Sequence, residues 1–152
     1  TGSSFLEGYV QRSIDTANLR TVVRVLRMGK GGEFLEGILF EGGTMEAGRL
    51  IDSVNAGAML EELYAPTPLA KAAEAGAAAV RGESLTLFEN LCDDTIIDYI
   101  KDARFVSFGE APVIAYLAAK EAEIVAIRII MTGRLAGLPT DVIRERLREA
   151  YV

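Results

Sequence analysis

The sequence predicts an all-α fold, a bundle of about eight helices, and three observations carry that prediction. Twenty-one of its 152 residues are alanine and only four are proline, so residues that favour or tolerate helix dominate. Apolar residues recur at intervals of three and four over long stretches. Alternating apolar and polar runs bounded by hairpin turns, the mark of half-buried strands, are hard to find. The length suits one compact domain with a real core.

The elements follow from periodicity and punctuation. Ser4 and Glu7 have capping-box spacing, and Leu6, Tyr9, Val10, Ile14, Leu19, Val22, Val23 and Leu26 lie on a helical stripe, so one long helix is expected to about Gly29. The glycines at 29, 31 and 32 stop it. A short helix is expected over 33–40, ended by Gly42-Gly43, with Thr44 capping the next one through Leu50, Ile51 and Val54. Another turn or helix covers 59–64. Thr67 as N-cap and Pro68 at the first helical position start an alanine-rich helix to about Arg81. Gly82 separates it from a helix capped by Ser84 that carries Phe88, Leu91, Ile96, Ile97 and Ile100. After a loop over 105–109, Pro112 sits near the start of a long helix to about Thr132, and Pro139 opens a last one over 141–151.

Composition excludes much chemistry. The net charge is −6, opposite in sign to the basic face that nucleic-acid binding requires. A single cysteine, Cys92, permits no internal disulfide and fits a reducing compartment. The absence of histidine removes the commonest general base and metal ligand. The longest strongly apolar run, Ile124 to Met131, is broken by Arg128 and far too short to span a bilayer. The start, Thr1-Gly2-Ser3-Ser4, without Met or a signal pattern, reads as a cut edge of something longer.

One internal echo stands out. Asp15, Asn18, Leu19 and Arg20 in the first long helix line up with Glu123, Ala126, Ile127 and Arg128 in the second at a constant offset of 108, which also maps Val22 to Ile130 and Gly29 to Gly137. Repeated units are therefore expected at about 4–64 and 110–152, joined by helices over 68–105, within a single all-α unit. Five residues turn a helix by about 500°, so Asp15 and Arg20 point some 140° apart and need partners elsewhere. A pseudo-twofold packing of the two helices would pair Asp15 with Arg128 and Glu123 with Arg20.

Other candidates resolve into structure. Gly29-Lys30 lacks the upstream glycine and the following Ser or Thr of a phosphate loop, and Phe34 occupies the last glycine position of a dinucleotide fingerprint. Glu89, Asp93, Asp94 and Asp98 make an acidic helix face, more simply solvated than a seat for a hard cation. Cys92, on an apolar stripe with Phe88 and Leu91, reads as a core residue. Arg144, Arg146 and Arg148 among Glu145 and Glu149 make a mixed-charge terminal helix, either solvated or a docking surface for an acidic partner. No cofactor or catalytic residue is expected.

The Asp-x-x-Asn-Leu-Arg helix, the glycine-lysine stop after it, Phe34-Leu35-Glu36, Gly42-Gly43-Thr44 and above all the closing Gly133-x-x-x-Gly137-Leu138-Pro139-x-x-Val142-Ile143-Arg144-Glu145-Arg146-Leu147-Arg148 resemble the C subunit of prokaryotic V/A-type rotary ATPases, called the d subunit in eukaryotes. The resemblance implies helical repeats arranged as a funnel, seated on the cytoplasmic face of the membrane proteolipid ring and joining that ring to the central axle. Family members are roughly twice this length, so the chain corresponds to a C-terminal half. Asp15, Asn18 and Arg20 match the motif, whereas Ala126 stands where the second copy often has Asn. The expected function is a non-catalytic rotor subunit for proton or sodium transport, with Asp15, Asn18, Arg20, Glu123, Arg128, Arg144 and Arg148 as structural or interface residues. Self-association of the exposed remainder is expected too. The alternatives are a free-standing helical adaptor and, more remotely, a carboxylate–metal enzyme.

Overall fold

A computed structural model describes residues 2–147. Among them lie seven α-helices and two short 3-10 helices, and no strand. The all-α prediction holds. Contacts divide the chain within its fifth helix into two compact units, residues up to Thr95 and residues from Ile96 on.

The first unit begins with α1, Ser4–Arg27. Its N-cap is Ser3, whose hydroxyl accepts the Leu6 N–H at 3.2 Å, so the cap sits one residue before the Ser4 of the expected capping box. Met28 closes the helix and Gly29 leaves it with φ 69°, a left-handed conformation that glycine adopts without a Cβ penalty. A 3-10 turn, Gly32–Leu35, follows, then α2 (Ala47–Asn55), α3 (Leu60–Tyr64), α4 (Ala70–Val80) and the first part of α5 (Leu85–Lys101).

Two elements differ from the sequence reading. The helix expected over 33–40 stops at Leu35, and turns and bends fill the stretch to Met45. Thr44 does not cap α2; Glu46 holds that position without a side-chain hydrogen bond. The cause is tertiary: side chains of α1 take the main-chain groups of this segment that a helix would have used, as described below. Thr67 is not the immediate N-cap of α4 either, yet its hydroxyl accepts the Leu69 N–H at 3.2 Å and donates to the Tyr64 carbonyl at 2.8 Å, tying α3 to α4.

The core of this unit gathers Leu19, Val22, Val23 and Val25 of α1, Leu35, Leu50, Leu60, Tyr64, the small face of α4, Phe88 and Cys92. Alanines at 72, 73, 77 and 79 let α4 approach closely. The limit is reached at Gly76, where a Cβ would stand 2.7 Å from Val23 Cγ2 and 3.1 Å from Phe88 Cε2.

The second unit holds the rest of α5, a 3-10 turn (Asp102–Phe105), α6 (Ala111–Leu135) and α7 (Thr140–Glu145). α6 runs one turn beyond the expected end. It stops at Ala136, and Gly137 has φ 69°. α7 is shorter than expected because it ends at Glu145, and the predicted extension to residue 151 lies partly outside the described residues. Ile143 of α7 is buried against Gly133, where a Cβ would come within 2.8 Å of its Cγ1.

Candidate functional site

The buried face of α1 carries polar groups that an isolated helix would not tolerate. Asp15 is 6 % exposed and Asn18 is fully buried, so each must recover inside the protein the hydrogen bonds it gave up in water. Both recover them from the irregular segment between residues 36 and 46. The Asn18 Nδ2 donates to the Phe40 carbonyl at 2.9 Å, and its Oδ1 accepts the Phe40 N–H at 2.8 Å. One amide thus satisfies both main-chain groups of a residue that has no helical neighbours to do so.

Asp15 works the same way three residues earlier on the helix. Its Oδ1 accepts the Thr44 N–H at 2.9 Å and the Met45 N–H at 3.4 Å, and its Oδ2 takes the Thr44 hydroxyl in a short hydrogen bond. Gly43 makes the approach possible, because a Cβ there would collide with the Asp15 carboxylate and press on Ile14 Cγ2 at 3.1 Å. At the other end of the segment the Gly32 N–H donates to Asn55 Oδ1 at 3.0 Å. A Cβ on Gly32 would lie 2.6 Å from that oxygen and 2.7 Å from the Ile51 carbonyl.

Arg20 faces the other way, toward α5. Its Nη2 donates to Asp93 Oδ1 at 2.7 Å and to the Glu89 carbonyl at 3.3 Å. Its Nε lies 2.7 Å from Glu89 Oε2, an ion contact and not a hydrogen bond, since the oxygen is off the N–H direction. The other Glu89 oxygen accepts from Arg24 Nη2 at 2.7 Å. Burial by itself would lower the Arg20 pKa, but the hydrogen bond and charge of Asp93 outweigh it and hold the guanidinium above its ordinary value. Neighbouring Cys92 is fully buried, and desolvation pushes its thiol up to about 12. It is a core residue.

The expected acidic face on α5 is therefore not simply solvated, because Glu89 and Asp93 are half-buried partners of Arg20. Among the described residues no group of three or more acids or cysteines is placed to hold a metal ion. The internal echo points Asp15 to Arg128 and Arg20 to Glu123, but Asp15 and Arg20 are occupied within their own unit by Thr44 and by Glu89 and Asp93. Glu123 forms its own ion pair with Lys120, one turn before it on α6, at 2.7 Å. Arg128 is exposed on α6 and Arg144 is exposed on α7, while Arg148 lies outside the described residues. Sequence reasoning singles out Asp15, Asn18 and Arg20 as polar residues in an apolar stripe. It misses Phe40, whose role is purely main-chain and leaves no residue-type signal.

These contacts define a class: an all-helical protein whose buried polar side chains act as ties between elements. The family model described as ATP synthase (C/AC39) subunit matches residues 1–146, and the chain belongs to that family. Among curated relatives, it is 28 % identical over 144 residues to the C subunit of the A-type ATP synthase of Haloferax volcanii and 30 % identical over 142 residues to that of Halobacterium salinarum. It is 23 % identical over 141 residues to the C subunit of the V-type sodium ATPase of Enterococcus hirae. Each match covers 91 % of this chain but only 40–42 % of the relative, so the chain spans about two-fifths of their length. No solved structure matches it.

Proposed function

We propose that this chain forms part of a non-catalytic central-stalk subunit that couples the axle of a V/A-type rotary ATPase to the membrane proteolipid ring, on the cytoplasmic side, during proton or sodium transport. Membership in the ATP synthase (C/AC39) family supports the assignment to such a complex. The observation that carries the mechanical part is the use of Asp15, Asn18 and Arg20. All three are engaged in fixing one element against another, which is what a torque-transmitting part requires.

A coupling piece must not absorb rotation by bending. The irregular stretch after Leu35 is clamped at Phe40 by Asn18 and at Thr44 by Asp15, and the 3-10 turn that leads into it is held at Gly32 by Asn55, so it cannot swing as an ordinary surface loop does. Arg20 adds a cross-tie from α1 to α5. Among the described residues no helix is long and apolar enough to cross a membrane, which is compatible with a peripheral seat on a ring supplied by another subunit. In this reading the two long helices, α1 and α6, belong to repeated helical units, and Glu123, Arg128 and Arg144 face other subunits.

The direct test is a pull-down of the complete protein with the purified axle subunits of the same complex. Stoichiometric capture supports the reading. A complete protein that folds but binds neither axle nor ring would replace it with a free-standing adaptor.

A further inference from the structure

The segment from Gly31 to Glu46 combines three properties that do not ordinarily coincide. It carries four glutamates, at 33, 36, 41 and 46, and no lysine or arginine, a charge of −4. The rest of the chain has 16 basic residues against 22 − 4 = 18 acidic ones, so a tenth of the sequence holds most of the net charge. All four glutamates are exposed.

Within the same segment Phe34 is 51 %, Ile38 46 % and Phe40 58 % exposed. Leu35 and Leu39 point into the core instead, so the segment has apolar anchors of its own and the other three are surplus to its folding. Large apolar side chains left in water cost hydrophobic free energy and, when grouped, mark contact surfaces. The third property is fixation. Asn18 grips the Phe40 peptide from both sides, Asp15 grips Thr44, and Gly32 sits against Asn55. Buried polar side chains thus hold in place a stretch whose phenylalanines face solvent, which lowers the entropy lost when those rings are covered.

We infer that residues 31–46 form a preorganised docking surface for a polypeptide with apolar pockets ringed by lysine or arginine, with Phe34 and Phe40 as the anchors and the glutamates as the rim. Charge complementarity selects this occupant. A membrane surface would also receive aromatic side chains, but its anionic headgroups repel four carboxylates. The choice of natural probe rests on the rotor reading, in which the partner is a neighbouring protein of the stalk.

The test compares the wild-type complete protein with two variants, Phe34→Ser/Phe40→Ser and Glu33→Gln/Glu36→Gln/Glu41→Gln. Both variants should keep the wild-type far-UV circular dichroism and a single cooperative melt, since the phenylalanines are more than half exposed and the glutamates are exposed. Three probes are used: the purified axle subunits, a synthetic amphipathic helix of leucine and lysine, and vesicles containing phosphatidylglycerol. The expected result is binding to the two polypeptide probes that weakens with added salt and falls about tenfold or more in the phenylalanine variant. The glutamine variant should lose the salt dependence. Variants that bind both polypeptide probes as the wild type does, a wild type that binds neither, or segment-dependent binding to the vesicles overturns the inference. Axle binding that ignores the substitutions leaves the rotor reading standing while removing this surface, and segment-dependent peptide binding without axle binding keeps this surface while counting against the axle as its partner.

Discussion

Asn18→Ala is the sharpest perturbation of the clamp. The amide is fully buried and makes two hydrogen bonds of 2.8 and 2.9 Å to a single residue's main chain. Each such bond contributes about 0.5–1.5 kcal/mol net. The Phe40 main chain can turn to water once released, so the penalty for stranding its groups is small, while loss of the buried amide volume adds roughly another 0.5–1 kcal/mol. The sum is about 1.5–4 kcal/mol. For a protein of this size that corresponds to roughly 3–16 °C in melting temperature. Urea unfolding of wild type and variant measures the free energy, and amide hydrogen exchange localises it: the Phe40 N–H should lose its protection beyond any change seen at Val22 or Val23. A loss under about 0.5 kcal/mol, with Phe40 exchange unchanged, would refute the clamp. Asn18→Asp extends the test to pH. It keeps an acceptor for the Phe40 N–H but sets a carboxyl against the Phe40 carbonyl, which raises its folded pKa. The folded state then holds the proton more tightly than the unfolded chain does, so this variant should lose stability as pH rises above about 4.

Other substitutions probe separate parts of the account. Gly43→Ala should cost about 1–3 kcal/mol in urea unfolding, because its Cβ displaces the Asp15 carboxylate; a neutral result would mean that the segment yields freely. Gly76→Ala should cost a similar amount by wedging α4 away from Val23 and Phe88. Arg20→Met removes the cation that Glu89 and Asp93 share, and adding Asp93→Asn should restore part of the stability; simple additivity in that cycle contradicts the ion pair. Tyr64→Phe should leave stability equal or slightly higher, since the buried hydroxyl has no hydrogen-bond partner among the described residues; a loss above about 1 kcal/mol would show that the hydroxyl is satisfied. Cys92 should resist thiol reagents in the folded protein at pH 8, being buried with its thiol pushed up to about 12, and should react at once in denaturant.

Local signals are strong where the helices are amphipathic and end in glycine. Gly29 and Gly82 both have positive φ where the sequence predicts a stop. Residues 33–40 show the limit of such reading. Their composition is compatible with helix, but Asn18 and Asp15, far away in sequence, capture main-chain groups of this segment and of the turn after it. Contacts to peptide groups are blind to residue type, so Phe40 could not be picked as the partner of Asn18. Glu89 and Asp93 are visible as acids four apart on one helix face, yet their pairing with Arg20 depends on how α5 lies against α1, which periodicity alone does not fix.

The coupling claim is tested most directly in the assembled rotary complex, prepared with and without the complete protein and reconstituted into vesicles. The account predicts that the complex lacking it still hydrolyses ATP but moves no ions, and that adding the wild-type protein restores ATP-driven transport. Undiminished ion pumping in its absence would contradict the account.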